Sequence, residues 1–238
     1  MEEIVARRRK ITRRDIKEDK FILFLYAASD YITHHVQEIL IGVGVVAVAA
    51  IAGVLFANAR QSADDEAVQL LAPAQTAMQN NRAEDAIPIY ERILNEYSGS
   101  SSAQEATLGL ANAYFQSGNT AEAKRYYQEY ISNYGAGMFS GLWDQKSDTH
   151  DTIIASAEAG IAACLEQDGE YASAAMAYRR IAEDNPNLFI TPQLLLDAGR
   201  CYQAAEQITE AKSMYDRVVS EYEDSRYARD ARTALTTL

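Results

Sequence analysis

A long-range recurrence of alanine and tyrosine restricts the fold of this chain more than any other feature of its sequence. At four places an alanine is followed four residues later by a tyrosine. The four pairs are Ala86 and Tyr90, Ala123 and Tyr127, Ala174 and Tyr178, and Ala211 and Tyr215. Residues four apart lie on the same face of an α-helix, one turn from each other. The recurrence therefore predicts four similar helices that pack through equivalent faces.

Two further positions recur in the same register. Twelve residues before each reference alanine stands a small residue, and these are Ala74, Ala111, Ala162 and Gly199. Five residues before it stand Asn81, Gly118, Gly169 and Glu206, of which the two glycines suit a turn that ends a helix. Small residues allow two helices to approach closely. The sequence thus predicts four antiparallel helix pairs and an all-α fold.

The succession of small, aromatic, alanine and aromatic positions resembles the tetratricopeptide repeat family. The resemblance implies an α-solenoid of about four helix pairs, followed by a capping helix that covers the last apolar face. We expect repeats at residues 64–99, 103–135, 154–187 and 191–223, and the capping helix at 225–237, within a domain over 62–238. Links of the type Tyr97 to Ser100 resemble the repeats of bacterial envelope proteins, such as the ancillary translocon subunit and the periplasmic cell-division coordinator.

An insertion interrupts the repeats between Ala123 and Ala174. It covers residues 136–152, which contain two glycines and directly follow a third, so a loop is expected there. Its large apolar residues are Phe139, Leu142 and Trp143, the last being the only tryptophan of the chain. These side chains either fold back onto the helices or contact a partner, and the sequence leaves both possibilities open.

An uncharged segment near the N-terminus predicts a transmembrane anchor over residues 38–59. Residues 39–57 carry no charge, and as a helix they would extend about 28 Å, close to the thickness of about 30 Å of a bilayer core. A buried helix of a soluble domain would keep a polar face, which this segment lacks. Cleavage as a signal peptide after Ala59 is the alternative that stays open.

The arm before this segment, residues 1–37, is basic and aromatic. Residues 1–20 hold eight Lys and Arg against five Asp and Glu, which predicts a cytoplasmic N-terminus. Residues 60–238 would then lie on the other side of the membrane, which in a bacterium is the periplasm or the cell exterior. A capping box at Thr12 and Asp15 would open an amphipathic helix. Its apolar face would carry Phe21, Phe24, Leu25, Ala28 and Ile32. Such a helix either lies at the membrane interface or docks to another membrane subunit.

The composition of residues 61–238 bears on the class of function. This part holds 13 Lys and Arg against 27 Asp and Glu, so a nucleic-acid partner is not expected. No catalytic motif, metal-ligand spacing or cofactor loop occurs, and we predict neither an enzyme nor a small-molecule substrate. Ser62 and Asp65 resemble a capping box that starts a helix. Cys164 and Cys201 are expected to be buried free thiols.

The resemblance also implies a protein-binding groove, because in this family the first helix of each pair lines the concave side. Carried over by register, the groove residues are Gln75, Gln79, Asn112, Phe115, Gln116, Gln167, Arg200 and Gln203. Side-chain amides offer both donors and acceptors to an extended peptide. The expected function is a membrane-anchored adaptor, chaperone-like at the translocon. A structural accessory subunit of another membrane complex is the alternative.

Overall fold

The computed structural model describes residues 13–135 and 148–238, and these two ranges form ten α-helices without a strand. The bounds are α1 Arg13–His34, α2 Val36–Gln79, α3 Ala83–Glu96, α4 Ser102–Gln116, α5 Thr120–Tyr134, α6 Asp148–Gln167, α7 Tyr171–Asp184, α8 Thr191–Ala204, α9 Ile208–Glu221 and α10 Arg226–Thr237. The expectation of an all-α fold is confirmed.

The chain divides into two compact units between Ala59 and Arg60. The first unit contains α1 and the first part of α2. Within α2 lies a stretch of mean hydropathy 2.8, none of it buried, so the helix is long and apolar enough to cross a membrane. On α1, six consecutive apolar or aromatic residues from Phe21 to Tyr26 are all exposed. Successive helix positions are about 100° apart, so this apolar surface is wider than the single face that the sequence suggested.

The second unit is an array of helix pairs. The last part of α2 packs with α3, and then come α4 with α5, α6 with α7, and α8 with α9, followed by α10. Three apolar clusters run along the array, and each is shared by consecutive pairs. The buried clusters are rich in alanine and contain the four tyrosines of the recurrence. A solenoid of four helix pairs with a terminal helix is therefore present.

Each pair is closed by the same turn. The residue five before the reference alanine has a positive φ in all four pairs, and the values are 55° at Asn81, 84° at Gly118, 82° at Gly169 and 61° at Glu206. In each case the next backbone N–H donates to a carbonyl five residues earlier, over 2.9 Å. This is the left-handed motif that commonly ends helices. The register found in the sequence corresponds to one repeated backbone conformation.

The links between pairs also repeat. In Tyr97 to Ser100 and in Tyr222 to Ser225 the serine N–H donates to the tyrosine carbonyl over 2.9 Å. The next helix begins at once, α4 at Ser102 and α10 at Arg226. These links therefore hold two tight turns of one kind, as their similar sequences indicate.

Three sequence expectations differ from the structure or lie outside it. No helix begins at Ser62, because α2 runs through this position without a break. The insertion is shorter than 136–152, since α6 already begins at Asp148 rather than near residue 154. The charged and polar residues 148–152 form its first turns. Thr12, Phe139, Leu142 and Trp143 lie outside the described residues.

Candidate protein-binding face

Seven of the eight predicted groove residues line two cavities formed mainly by the first helices of the pairs. We call the larger one the central cavity and the smaller one the N-terminal cavity. The central cavity, of about 610 Å³, is lined by Phe115, Gln116, Ala163, Glu166, Gln167, Tyr171, Tyr178 and Arg200. The N-terminal cavity, of about 420 Å³, is lined by Gln75, Met78, Gln79, Tyr90, Gly109 and Asn112. The structure thus brings most of these residues together in two groups, whereas the resemblance implied a single groove.

Gln203 lines neither cavity. Its amide oxygen accepts a hydrogen bond from the hydroxyl of Tyr215 over 3.2 Å, and the side chain is only partly exposed. Gln203 therefore holds the second helix of its own pair.

Several of the predicted amides are already engaged inside the protein. Asn112 accepts from the buried Tyr127 hydroxyl over 2.6 Å, and Gln116 donates to the Asn81 amide oxygen over 2.8 Å. Gln75 donates to Glu105 over 2.5 Å. These bonds connect α4 with α5, with the turn after α2 and with α2 itself, so the three side chains fix the relative positions of these elements.

Gln79 and Gln167 differ from the other amides of the face. Both are exposed at the C-terminal ends of their helices, and no hydrogen bond joins either side-chain amide to another group within residues 13–135 and 148–238. Each amide retains two donors and an acceptor for a ligand. Gln79 lines the N-terminal cavity and Gln167 the central one. They are the amides best suited to contact a bound chain.

Arg200 lies at the edge of the central cavity between two carboxylates. Both of its terminal nitrogens bind Glu166, and Nη2 also donates to Asp197 over 3.1 Å. Burial lowers the pKa of the Arg200 guanidinium, but the attraction and hydrogen bonds of Glu166 and Asp197 outweigh this effect and raise its pKa. Burial raises the pKa of the Asp197 carboxyl, and Arg200 opposes that shift. The guanidinium therefore remains charged and fixed.

Glu166, Met78 and the two tyrosines of the central cavity were missed by the sequence reasoning. Glu166 and Met78 stand eight residues before their reference alanines, the position that Phe115 and Gln203 occupy in the other pairs. The register alone would have found both. Tyr171 begins the second helix of the third pair, and Tyr178 reaches the cavity from one of the core positions. No signal in the first helices points to Tyr171 or Tyr178.

Comparison with known proteins agrees with this architecture. The sequence model of the tetratricopeptide repeat family matches residues 77–134 and 165–235, together more than half of the chain. No curated protein matches it. Two crystal structures from Podosopora anserina, of a protein assigned as a kinesin light chain with nearly identical TPR-like repeats, are similar in fold with a TM-score of 0.54.

The identities to these two structures are 14% and 15%, and each alignment covers 68% of this chain and 77% of the other. At this identity the similarity concerns the fold alone. The family match is the stronger observation, and it coincides with the helix pairs and with their recurring turn. The chain belongs to the tetratricopeptide repeat family, whose members generally act as scaffolds that bind protein partners.

Proposed function

We propose that this protein is a membrane-anchored adaptor that binds proteins or extended peptides on the periplasmic side of a bacterial cytoplasmic membrane. The observation that carries the binding role is the grouping of seven of the eight predicted groove residues into two cavities lined mainly by the first helices of the pairs. A face with aromatic side chains and unengaged amides can hold both the side chains and the backbone of a peptide. A chaperone-like role at the translocon follows from the resemblance to the ancillary translocon subunit.

Membrane attachment and orientation are supported by the sequence of the first unit. The apolar stretch of α2 has the length of a spanning helix, and the basic residues precede it. The acidic residues 61–238 carry a net charge of −14, from 13 basic and 27 acidic side chains. We place this part outside the cytoplasm.

Site-specific photo-crosslinking in cells tests the binding face. A photoreactive amino acid replaces Gln79 or Gln167 in the cavities, or Gln128 as a control. Gln128 is also an exposed glutamine, but it lies on the second helix α5. We expect other proteins to be crosslinked from positions 79 and 167 and not from 128. Equal crosslinking from all three positions would contradict a binding face on the first helices.

The proposed orientation is tested by labelling thiols in intact cells. Cys164 and Cys201 are buried, so the reagent should label a new surface cysteine without background from these two thiols. A membrane-impermeant maleimide should label Gln128→Cys before lysis and Lys20→Cys only after it. Labelling in the reverse order would place the repeats in the cytosol and reject the proposed location.

A second candidate function is that of a structural accessory subunit of a membrane complex. It is favoured by α1, whose residues Phe21, Phe24 and Tyr26 are each more than half exposed. Exposed apolar surface of this extent belongs either in the lipid interface or against another protein. Deletion of residues 21–33, followed by purification in mild detergent, distinguishes the functions. An accessory subunit would lose its stable complex, whereas an adaptor would still crosslink clients through Gln167.

A further inference from the structure

We propose that the central cavity selects a basic side chain, arginine or lysine, of the bound protein segment. This inference rests on the proposed binding function and identifies the chemistry that the face recognises. The occupant would place its cationic group near Glu166 and its aliphatic stem against the aromatic residues of the cavity. The charge beside the cavity, its aromatic lining and the overall charge of the domain support this occupant.

The charge around the cavity is negative. Glu166 and Asp197 supply two carboxylates, and Arg200, which contacts both, supplies one positive charge. The carboxylates are mostly buried, with side-chain exposures of 20% and 21%, so water screens them less than it screens surface charges. One negative charge is therefore left over in this network. An acidic ligand group would be repelled by this negative charge. It would also lose the hydration of its own charge, which costs further free energy.

The lining also suits a cation with an apolar stem. Phe115, Tyr171 and Tyr178 provide aromatic surface beside Glu166. Ammonium and guanidinium groups bind favourably over such rings, and their methylene chains pack on them. Gln116 and Gln167, at the same cavity, add polar groups. This combination of ring, amide and carboxylate accommodates the whole length of a lysine or arginine.

The wider charge distribution acts in the same direction. Residues 61–238 hold about twice as many acidic as basic side chains. Such a field attracts basic segments and speeds their encounter with the domain. This long-range attraction is not specific to one site. The test must therefore separate the contribution of the cavity from that of the whole surface.

The experiment uses the full-length protein in detergent micelles and a library of random nine-residue peptides with equal acidic and basic content. We expect enrichment of peptides that carry an arginine or lysine near the centre. The best peptide is then compared with its citrulline counterpart, which has nearly the same shape without the charge. The charged peptide should bind about five- to tenfold more tightly, as expected for one partly screened ion pair.

Removing the acidic Glu166 or the basic Arg200 tests whether the preference for a charged peptide arises at the central cavity. Glu166→Gln should abolish the difference between arginine and citrulline, because the network becomes neutral. Arg200→Gln should increase it, because the positive charge that partly neutralises Glu166 is then removed. The matched controls Glu129→Gln on α5 and Arg232→Gln on α10 change the net charge equally, away from the cavity. They should leave the ratio unchanged.

Any of four other results would overturn the inference. Enrichment of acidic peptides together with weaker binding by Arg200→Gln would mean that Arg200 receives a carboxylate. A charge preference that Glu129→Gln changes as much as Glu166→Gln would belong to the whole surface. Binding without any charge preference would reject the basic occupant and leave the binding role intact. If no peptide is enriched, the proposed function fails together with the inference.

Discussion

The ring of Tyr127 in α5 lies so close to the backbone of Gly160 in α6 that a side chain at position 160 would collide with it. Tyr90 and Gly109 make the same contact one pair earlier. In both cases a tyrosine from the second helix of one pair packs onto a glycine in the first helix of the next. The glycine therefore sets the distance between neighbouring pairs. This contact joins the recurrence in the sequence to the stacking of the solenoid.

Gly160→Ala should destabilise the protein despite alanine's higher helix propensity, which alone would favour the variant by about 1 kcal/mol. The added Cβ would lie 2.7 Å from Cε1 of Tyr127, and this ring is only 3% exposed. We expect a net loss of about 1–3 kcal/mol in urea unfolding. Gly99→Ala is the control, since nothing lies within 4 Å of its added Cβ. Equal stability of both variants would show that the neighbouring helix pairs move apart at little cost and accommodate the added methyl group.

Glu206→Gly should stabilise the protein. Glu206 has a φ of 61°, in the turn where Gly118 and Gly169 stand in two other pairs. A left-handed conformation costs a non-glycine residue about 1–2 kcal/mol, and glycine's extra unfolded-state entropy offsets about 0.5–1 kcal/mol of the gain. We expect a higher melting temperature and a net gain of about 0.5–1 kcal/mol. The reciprocal variant Gly169→Glu should lose stability, and a gain there would refute the argument.

Asp64→Ala should weaken the start of α4. The Asp64 carboxylate accepts a hydrogen bond from the backbone N–H of Ser101 over 3.0 Å, whereas the Ser101 side chain makes no capping bond. Loss of a capping side chain costs about 0.5–2 kcal/mol, which denaturant unfolding can resolve. The neighbouring variant Asp65→Ala removes an exposed carboxylate and should stay within about 0.5 kcal/mol of the parent protein. Similar losses for both would argue against capping by Asp64.

The two cysteines should be unreactive in the folded protein. Burial raises the pKa of the Cys164 thiol to about 11 and that of Cys201 to about 12, from an ordinary value of 9.0. At about pH 8 the thiolate of Cys164 should be roughly 100-fold rarer than in the unfolded chain, besides being shielded. A colorimetric disulfide reagent should therefore titrate two thiols only after denaturant is added. Rapid reaction of either thiol in the native protein would contradict this.

The raised pKa values of the two cysteines also predict how the stability of the protein changes with pH. Because both folded pKa values exceed 9.0, the neutral thiols stabilise the fold fully below that pH. This contribution is lost progressively as the pH rises from 9.0 to the folded values of about 11 and 12. The double variant Cys164→Ala and Cys201→Ala should accordingly lose less stability than the parent protein between pH 8 and 10, as measured by urea unfolding. A steeper loss in the variant would reverse the assigned direction.

The repeats could be predicted from sequence because their signals are local and recur. Gly118 and Gly169 marked the turns, and the same register located Asn81 and Glu206, whose backbones adopt the same conformation. The capping box at Ser62 was misleading for the opposite reason. No glycine or proline lies between Gly53 and Pro73, so helix propensity continues through that position. A short capping pattern does not end a helix whose surroundings all favour it.

The candidate site was predictable only in part. Register grouped Gln79, Gln116 and Gln167 on one kind of helix face, as the structure has them. The register does not indicate which amides form hydrogen bonds inside the protein. Gln116, for example, donates to an asparagine 35 residues away in the sequence. The partnership of Arg200 with Glu166 spans 34 residues and likewise depends on how the third and fourth pairs meet. Such contacts are set by packing between pairs.

The fourth pair is matched to the third through Arg200, which binds Glu166 of the third pair and Asp197 of its own pair. Asp197 also has a place in the register of the repeats. It occupies the register position at which the second and third pairs carry Gly109 and Gly160. A rearranged gene that put the fourth pair directly after the first would bring this carboxylate towards Tyr90. Met78 holds the position in the first pair that Glu166 holds in the third, so Arg200 would then lie beside Met78. Methionine has no charge with which to neutralise Arg200. The helix pairs look interchangeable in outline, yet the ion pair between Glu166 and Arg200 makes the third pair the matching neighbour of the fourth.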